Sequence, residues 1–123
     1  MPKILIVDDE EGIRMLYSME LEDEGYEVIT LPDGKDLLSV IEKESPDCLV
    51  LDIKMRDFNG LDLLQEVRKK HYDLPVILNS AYSSFKVDLQ AVAADYYVVK
   101  SSDLSELKAK LKVVLETRIP PEQ

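Results

Sequence analysis

Four short apolar runs in this chain each stop at a residue with a chemically useful side chain. Residues 4–7 are followed by Asp8 and Asp9, residues 48–51 by Asp52, residues 76–78 by Asn79 and Ser80, and residues 96–99 by Lys100. Three carboxylates brought to one place repel one another, so such a cluster is stable only if protons or a cation compensate. A hard divalent cation suits them. Magnesium takes oxygen ligands, keeps several waters and uses one or two carboxylates together with phosphate oxygens. Zinc would want His or Cys, and the single His71 and the single Cys48 lie away from these ends. Lys100 adds a positive charge and Ser80 a hydroxyl around Asp52, which makes the set one for phosphoryl transfer. Taken singly, each residue has a plainer reading. Residues 8–11 could be a solvated acidic run opening a helix, where the dipole favours negative charge. Asp52 could cap a turn, Lys100 could be a surface charge, and Ser is common after strands. The joint placement of all of them favours chemistry.

That placement requires the apolar runs to be neighbouring strands. Each run is too short for a helix, three of the four are rich in β-branched residues, and their hydrophobicity is continuous rather than alternating, as in strands buried on both faces. Residues 27–31, after the turn signal Gly25, read as a fifth strand at an edge. Helical spacing separates the strands: Ile13, Leu16, Tyr17 and Leu21; then Leu37, Val40 and Ile41; then Leu61, Leu64 and Val67. A fourth helix is expected over residues 84–93, with Val87 and Val92 as its apolar contacts. The last carries Leu104, Leu107, Leu111, Val114 and Leu115, with Asp103 and Glu106 as a capping pair. Five βα units with right-handed crossovers give an α/β fold, a doubly wound, flavodoxin-like (βα)5 arrangement around a five-stranded parallel sheet of strand order 2-1-3-4-5. In such a sheet the ligand site lies outside the carboxyl ends of the strands, where the residues above converge.

The chain's 123 residues make one domain, expected over 1–119, with 120–123 as a tail or the start of a linker because Pro120 and Pro121 cannot continue the last helix. With 25 acidic against 15 basic residues the net charge is −10, which argues against direct nucleic-acid binding and against an anionic membrane surface. No apolar run approaches the length of a membrane span or a signal peptide, so a cytoplasmic location is expected. The lone Cys48 cannot form an intramolecular disulfide and reads as a small core residue.

These residues resemble a known family, the response-regulator receiver domains of two-component signal transduction. The resemblance runs from Ile4 to about Glu116. It rests on Ile4-Leu5-Ile6-Val7-Asp8-Asp9-Glu10, on Pro46-Asp47-Cys48-Leu49-Val50-Leu51-Asp52-Ile53-Lys54-Met55 with Gly60, on Ser80-Ala81, and on Tyr97-Val98-Val99-Lys100. It implies that Asp52 is the phosphoacceptor, taking a phosphoryl group from a histidine kinase or a histidine phosphotransferase. It implies Mg2+ held by Asp9 directly, by Asp8 through water, by Asp52 and by the backbone carbonyl of Lys54. Ser80 would bond the phosphoryl group, Lys100 would pair with it, and Tyr97 would be an aromatic switch that turns inward as Ser80 moves. The face made by the helix over 84–93, the last strand and the last helix would then change. It would bind a downstream effector protein, a fused output domain or a second copy in a phosphorylation-dependent homodimer. The chain would be a signalling phosphoprotein that assists its own phosphorylation and dephosphorylation, with no other turnover. Lys54 and Tyr82, each two residues beyond a site residue, are expected to tune the lifetime of the aspartyl phosphate.

Three positions depart from the family pattern. Arg56 follows Met55 where proline is usual, which loosens the expected turn. Ser101 follows Lys100 in place of a cis proline, so a trans bond with Lys100 slightly displaced is expected, since a cis bond without proline costs roughly 3–4 kcal/mol. Ala93 replaces a glycine that commonly ends the fourth helix. Other functions fit less well. A flavodoxin-like electron carrier needs a Ser, Thr and Gly phosphate cradle where this chain has Asp8-Asp9-Glu10-Glu11. A phosphohydrolase with an aspartate nucleophile wants a second acid where Lys54 stands. A phosphorylation-independent, receiver-like binding module would not need the complete set of site groups.

Overall fold

The computed structural model describes residues 1–81 and 94–118. The elements in chain order are β1 Lys3–Val7, α1 Glu11–Asp23, β2 Glu27–Leu31, α2 Leu37–Glu44, β3 Cys48–Asp52, α3 Gly60–Lys70, β4 Val76–Ser80, β5 Tyr96–Val99 and α4 Ser105–Arg118. All five strands are parallel, in the order β2-β1-β3-β4-β5. β3 and β4 are buried along their whole length, whereas β2 at the edge is only half-buried, as its weaker apolar pattern implied.

Strand side chains alternate between the two faces, and each face receives its own helices. Leu5, Val7, Leu49, Leu51, Val76, Leu78 and Tyr97 pack with Leu37 and Ile41 of α2 and Leu64 and Val67 of α3. Ile4, Ile6, Cys48, Val50, Ile77 and Val98 pack with Tyr17 and Leu21 of α1 and with Leu107, Leu111, Val114 and Leu115 of α4. Cys48 is a buried core residue. The helices expected around residues 13–21, 37–41, 61–67 and 104–115 are thus present with their apolar stripes inward. Asn59 starts α3 by accepting hydrogen bonds from the backbone N–H groups of Leu61 and Asp62, and the last turn of that helix carries Arg68, Lys69 and Lys70, favourable charges at a C-terminus. Gly25, at φ 96°, makes the left-handed turn between α1 and β2.

β3 and β4 end in Asp52 and Ser80 as expected, the ladder pairing Leu51 with Leu78 and Asp52 with Asn79. One local expectation is corrected. The Asp103–Glu106 capping pair does not define the start of α4. Asp103 accepts instead from the backbone N–H of Ser105 at 2.9 Å, and the first helical bond runs from Lys108 N–H to the Leu104 carbonyl. A two-residue Asx turn is the competing local bond available to such a side chain. The helix expected over 84–93, Tyr82, and the tail at 120–123 lie outside the described residues. Among the described residues no helix is long and apolar enough to cross a membrane.

Candidate phosphoryl-transfer site

The carboxyl ends of β1, β3 and β5 bring Asp8, Asp9, Asp52 and Lys100 together. One carboxylate oxygen from each of Asp8, Asp9 and Asp52 lies within 4.8 Å of the others. Lys100 Nζ sits 2.8 Å from Asp8 Oδ2 and 3.3 Å from Asp52 Oδ2, with the exposed Glu10 carboxylate at 3.5 Å. Asp8 and Asp52 are almost fully buried, at 2% and 3% exposure, so the acidic run is no mere solvated helix start. Backbone hydrogen bonds lock these groups in place. Asp8 Oδ1 accepts from Glu10 N–H at 2.9 Å, and the Asp8 carbonyl accepts from the Arg14 guanidinium at 2.8 Å. Lys100 N–H donates to the Ser80 carbonyl at 2.7 Å, extending the β4–β5 ladder to the site.

Burial dominates the electrostatics of Asp52. It pushes the carboxyl up to about 6 from 3.8, with the Lys100 charge pulling the other way and Asp8 adding to the rise. Burial works against the Lys100 ammonium too, but its hydrogen bond to Asp8 and the charges of Asp52 and Asp8 together outweigh it and raise its pKa. Asp52 Oδ2 is buried with the Lys100 ammonium 3.3 Å away as its ion partner. An all-oxygen donor set of three carboxylates, net negative even with Lys100 counted, is the chemistry a hard divalent cation requires.

The loop after β3 is tied down despite the missing proline. Arg56 N–H donates to Asp9 Oδ2 at 3.1 Å, a bond a proline could not make, so Arg56 does not loosen the turn as its sequence implied. Met55 N–H donates to the Phe58 carbonyl, Gly60 N–H to the Ile53 carbonyl, and Lys54 bridges Asn59. Gly60 is required there, because a Cβ would overlap the Asp52 carbonyl oxygen and come within 2.7 Å of Ile53 Cα. The Lys100–Ser101 bond is trans, and Lys100 nevertheless reaches both carboxylates.

Ser80 is fully buried at the end of β4, on the face it shares with Leu78. Tyr97, the register partner of Leu78, is 6% exposed in that same layer. The Lys54 side chain is exposed. Three participants were not visible as such in the sequence: Glu10 beside Lys100, Arg14 on the Asp8 carbonyl, and a buried hydrogen bond at 2.7 Å from Asn79 Nδ2 to the Tyr17 hydroxyl. Tyr17 read as a core position of α1. The signal available was an Asn in an otherwise apolar strand, which needs a polar partner when buried.

The chain is similar to known proteins over most of its length. The family model described as the response regulator receiver domain matches residues 4–112. A probable transcriptional regulator, ycf27 of Galdieria sulphuraria, is 40% identical over 115 residues, which is 92% of this chain and 45% of that protein. The crystal structure of the response regulator TrrA from Thermotoga maritima in complex with Mg(2+)-BeF superposes with a TM-score of 0.88 at 45% identity, covering 94% of this chain and 100% of that one. A chain from the crystal structure of histidine kinase ThkA in complex with TrrA matches at a TM-score of 0.86 and 44% identity, over 94% of this chain and 99% of that one. This chain spans less than half the length of the curated relatives it matches. With the family model matched over most of its length, the strand order 2-1-3-4-5, and Asp8, Asp9, Asp52, Ser80 and Lys100 at the carboxyl ends of the strands, the chain belongs to the receiver domains of response regulators.

Proposed function

We propose that Asp52 of this chain accepts a phosphoryl group from a phosphohistidine of a histidine kinase or histidine phosphotransferase. The observation that carries the reading is the Lys100 ammonium between Asp8 and Asp52, within a cluster of three carboxylates whose oxygens lie within 4.8 Å. Asp52, with a pKa of about 6, is largely ionised at neutral pH and can act as the nucleophile. One of its oxygens bonds phosphorus as the phosphorus–nitrogen bond breaks, and the electron pair leaves on the imidazole nitrogen. Lys100, already against Asp52, follows the new negative charge, and the Ser80 hydroxyl donates to a phosphoryl oxygen. Asp8, Asp9, Asp52 and the Lys54 carbonyl would hold Mg2+, Asp9 directly and Asp8 through water. When bound, the ion neutralises charge between the carboxylates and the incoming phosphoryl oxygens.

Ser80 and Tyr97 share one face of the sheet at adjoining strands, which supports Tyr97 as the residue that follows Ser80 on phosphorylation. The surface around β5, α4 and residues 84–93 is then the output face for a downstream effector, a fused output domain or a second copy. Residues 1–119 form the receiver, 120–123 begin a tail or linker, and the protein works in the cytoplasm. Lys54 and Tyr82 set the lifetime of the aspartyl phosphate: an ammonium has donors only and cannot orient an attacking water, and a tyrosine can roof the site.

Incubation with acetyl phosphate and Mg2+, read by intact mass and peptide mapping, tests the assignment. Label confined to Asp52 and lost in a chelator is expected; undiminished labelling of Asp52→Asn would sink it.

A further inference from the structure

Beneath the site, the layer formed by α1, α4 and the sheet holds a buried polar pair in apolar surroundings. Asn79 Nδ2 donates to the Tyr17 hydroxyl at 2.7 Å, and both residues are buried among Ile6, Val50, Ile77 and Leu111. Among the described residues Asn79 Oδ1 has no hydrogen-bond partner, whereas Asp52 Oδ2 faces the Lys100 ammonium at 3.3 Å. These two acceptors sit on residues that are register partners in β3 and β4. Val50 and Ile77, two residues earlier and also register partners, both face the α1 and α4 layer, so Asp52 and Asn79 do as well. In-register neighbours on one face of a sheet stand roughly 5 Å apart. An Asn79 carbonyl oxygen that has given up its water and gained no donor is an unfavourable neighbour for the buried Asp52 carboxylate, whose charge repels it.

Rotation of the Asn79 amide by half a turn removes the conflict. A tyrosine hydroxyl can accept or donate, so Tyr17 serves either orientation. In the second, Tyr17 donates to Asn79 Oδ1, and the two N–H donors of Nδ2 take the place of the unsatisfied oxygen beside the register partner Asp52. We propose that Asn79 is a positioning residue for Asp52, its amide pivoting on the Tyr17 hydroxyl to supply a hydrogen-bond donor to the acyl phosphate. In that species one Asp52 oxygen bears the phosphoryl group and the other is a carbonyl acceptor. Lys100 has followed the phosphoryl oxygens, and the vacated carbonyl takes its donor from Asn79. α1 thereby senses the state of Asp52 through one side chain. The inference rests on Asp52 being the phosphoacceptor.

Side-chain amide NMR of the 15N-labelled chain tests it. The chain has two asparagines, the exposed Asn59 and the buried Asn79, so the Asn79 signals are assigned by their loss in Asn79→Leu. Addition of acetyl phosphate and Mg2+ is expected to shift the Asn79 NH2 signals, and Tyr17→Phe, which removes only the hydroxyl, to abolish that shift. The maximal phosphorylation rate of Asn79→Leu should fall about fivefold, the weight of one net hydrogen bond, with half-saturating donor and Mg2+ concentrations unchanged. Combining the two substitutions should cost no more than Asn79→Leu alone. In a wild-type chain labelled on Asp52, unmoved Asn79 signals or additive rate losses overturn the positioning role and leave the phosphoacceptor standing. A folded wild-type chain that takes no label on Asp52 overturns both.

Discussion

Asp52→Asn should stabilise the metal-free protein while removing the proposed phosphoacceptor. Asp52 is almost fully buried, and burial outweighs the Lys100 charge 3.3 Å away, leaving its carboxyl at about 6 against 3.8 for an ordinary aspartate. A carboxyl whose pKa is higher in the folded state binds more protons folded than unfolded. Its contribution is therefore most favourable below the unfolded value and is lost as pH rises towards the folded one. That loss amounts to about 3 kcal/mol at pH 7.5, where both states are ionised, and about 1 kcal/mol at pH 4.5. Asparagine keeps the shape of the side chain without the charge, and Lys100 retains its 2.8 Å contact with Asp8. The variant should consequently melt about 10 °C above wild type at pH 7.5 and about 3 °C above it at pH 4.5. Thermal unfolding of both proteins in EDTA, followed by circular dichroism at the two pH values, measures this directly, since other titrating groups cancel in each comparison. Added Mg2+ should narrow the gap by stabilising wild type. A variant less stable than wild type at pH 7.5, or an equal gain at both pH values, would refute the balance of burial over ion pairing.

Lys100→Met leaves Asp8 and Asp52 buried without their counter-charge and should cost about 3 kcal/mol in EDTA at pH 7.5, most of it recovered in Mg2+; urea unfolding with and without the ion measures both. Gly60→Ala forces a Cβ onto the Asp52 carbonyl and should destabilise by about 3 kcal/mol and slow acetyl phosphate labelling, because the obstructing atoms are backbone and cannot move aside cheaply. Arg68→Ala, far from the site, removes the guanidinium that ties the carbonyls of His71, Tyr72 and Leu74 to Asp95; it should cost about 2 kcal/mol and leave the labelling rate of Asp52 unchanged. Lys54→Asn and Tyr82→Ala should each hasten loss of the aspartyl phosphate, read by the decay of labelled protein after donor removal, whereas unchanged decay would leave both residues to partner recognition.

The sheet order, the faces of the four described helices and the meeting of Asp8, Asp9, Asp52 and Lys100 were legible in the chain itself. Continuous β-branched runs define buried parallel strands, helical spacing defines which stripe turns inward, and the topology of a doubly wound sheet sends every strand end to one edge. Periodicity, however, specifies a face and not a neighbour. That Asp52 and Asn79 are laterally paired depends on the register of β3 against β4, and that Asn79 finds the Tyr17 hydroxyl depends on how α1 settles across the sheet, 62 residues away in the chain. Likewise the Arg56 N–H could hold Asp9 only once two loops from different strand ends had met. Such contacts are between residues distant in sequence and satisfy polar groups that burial has cut off from water, so they exist only in the assembled structure.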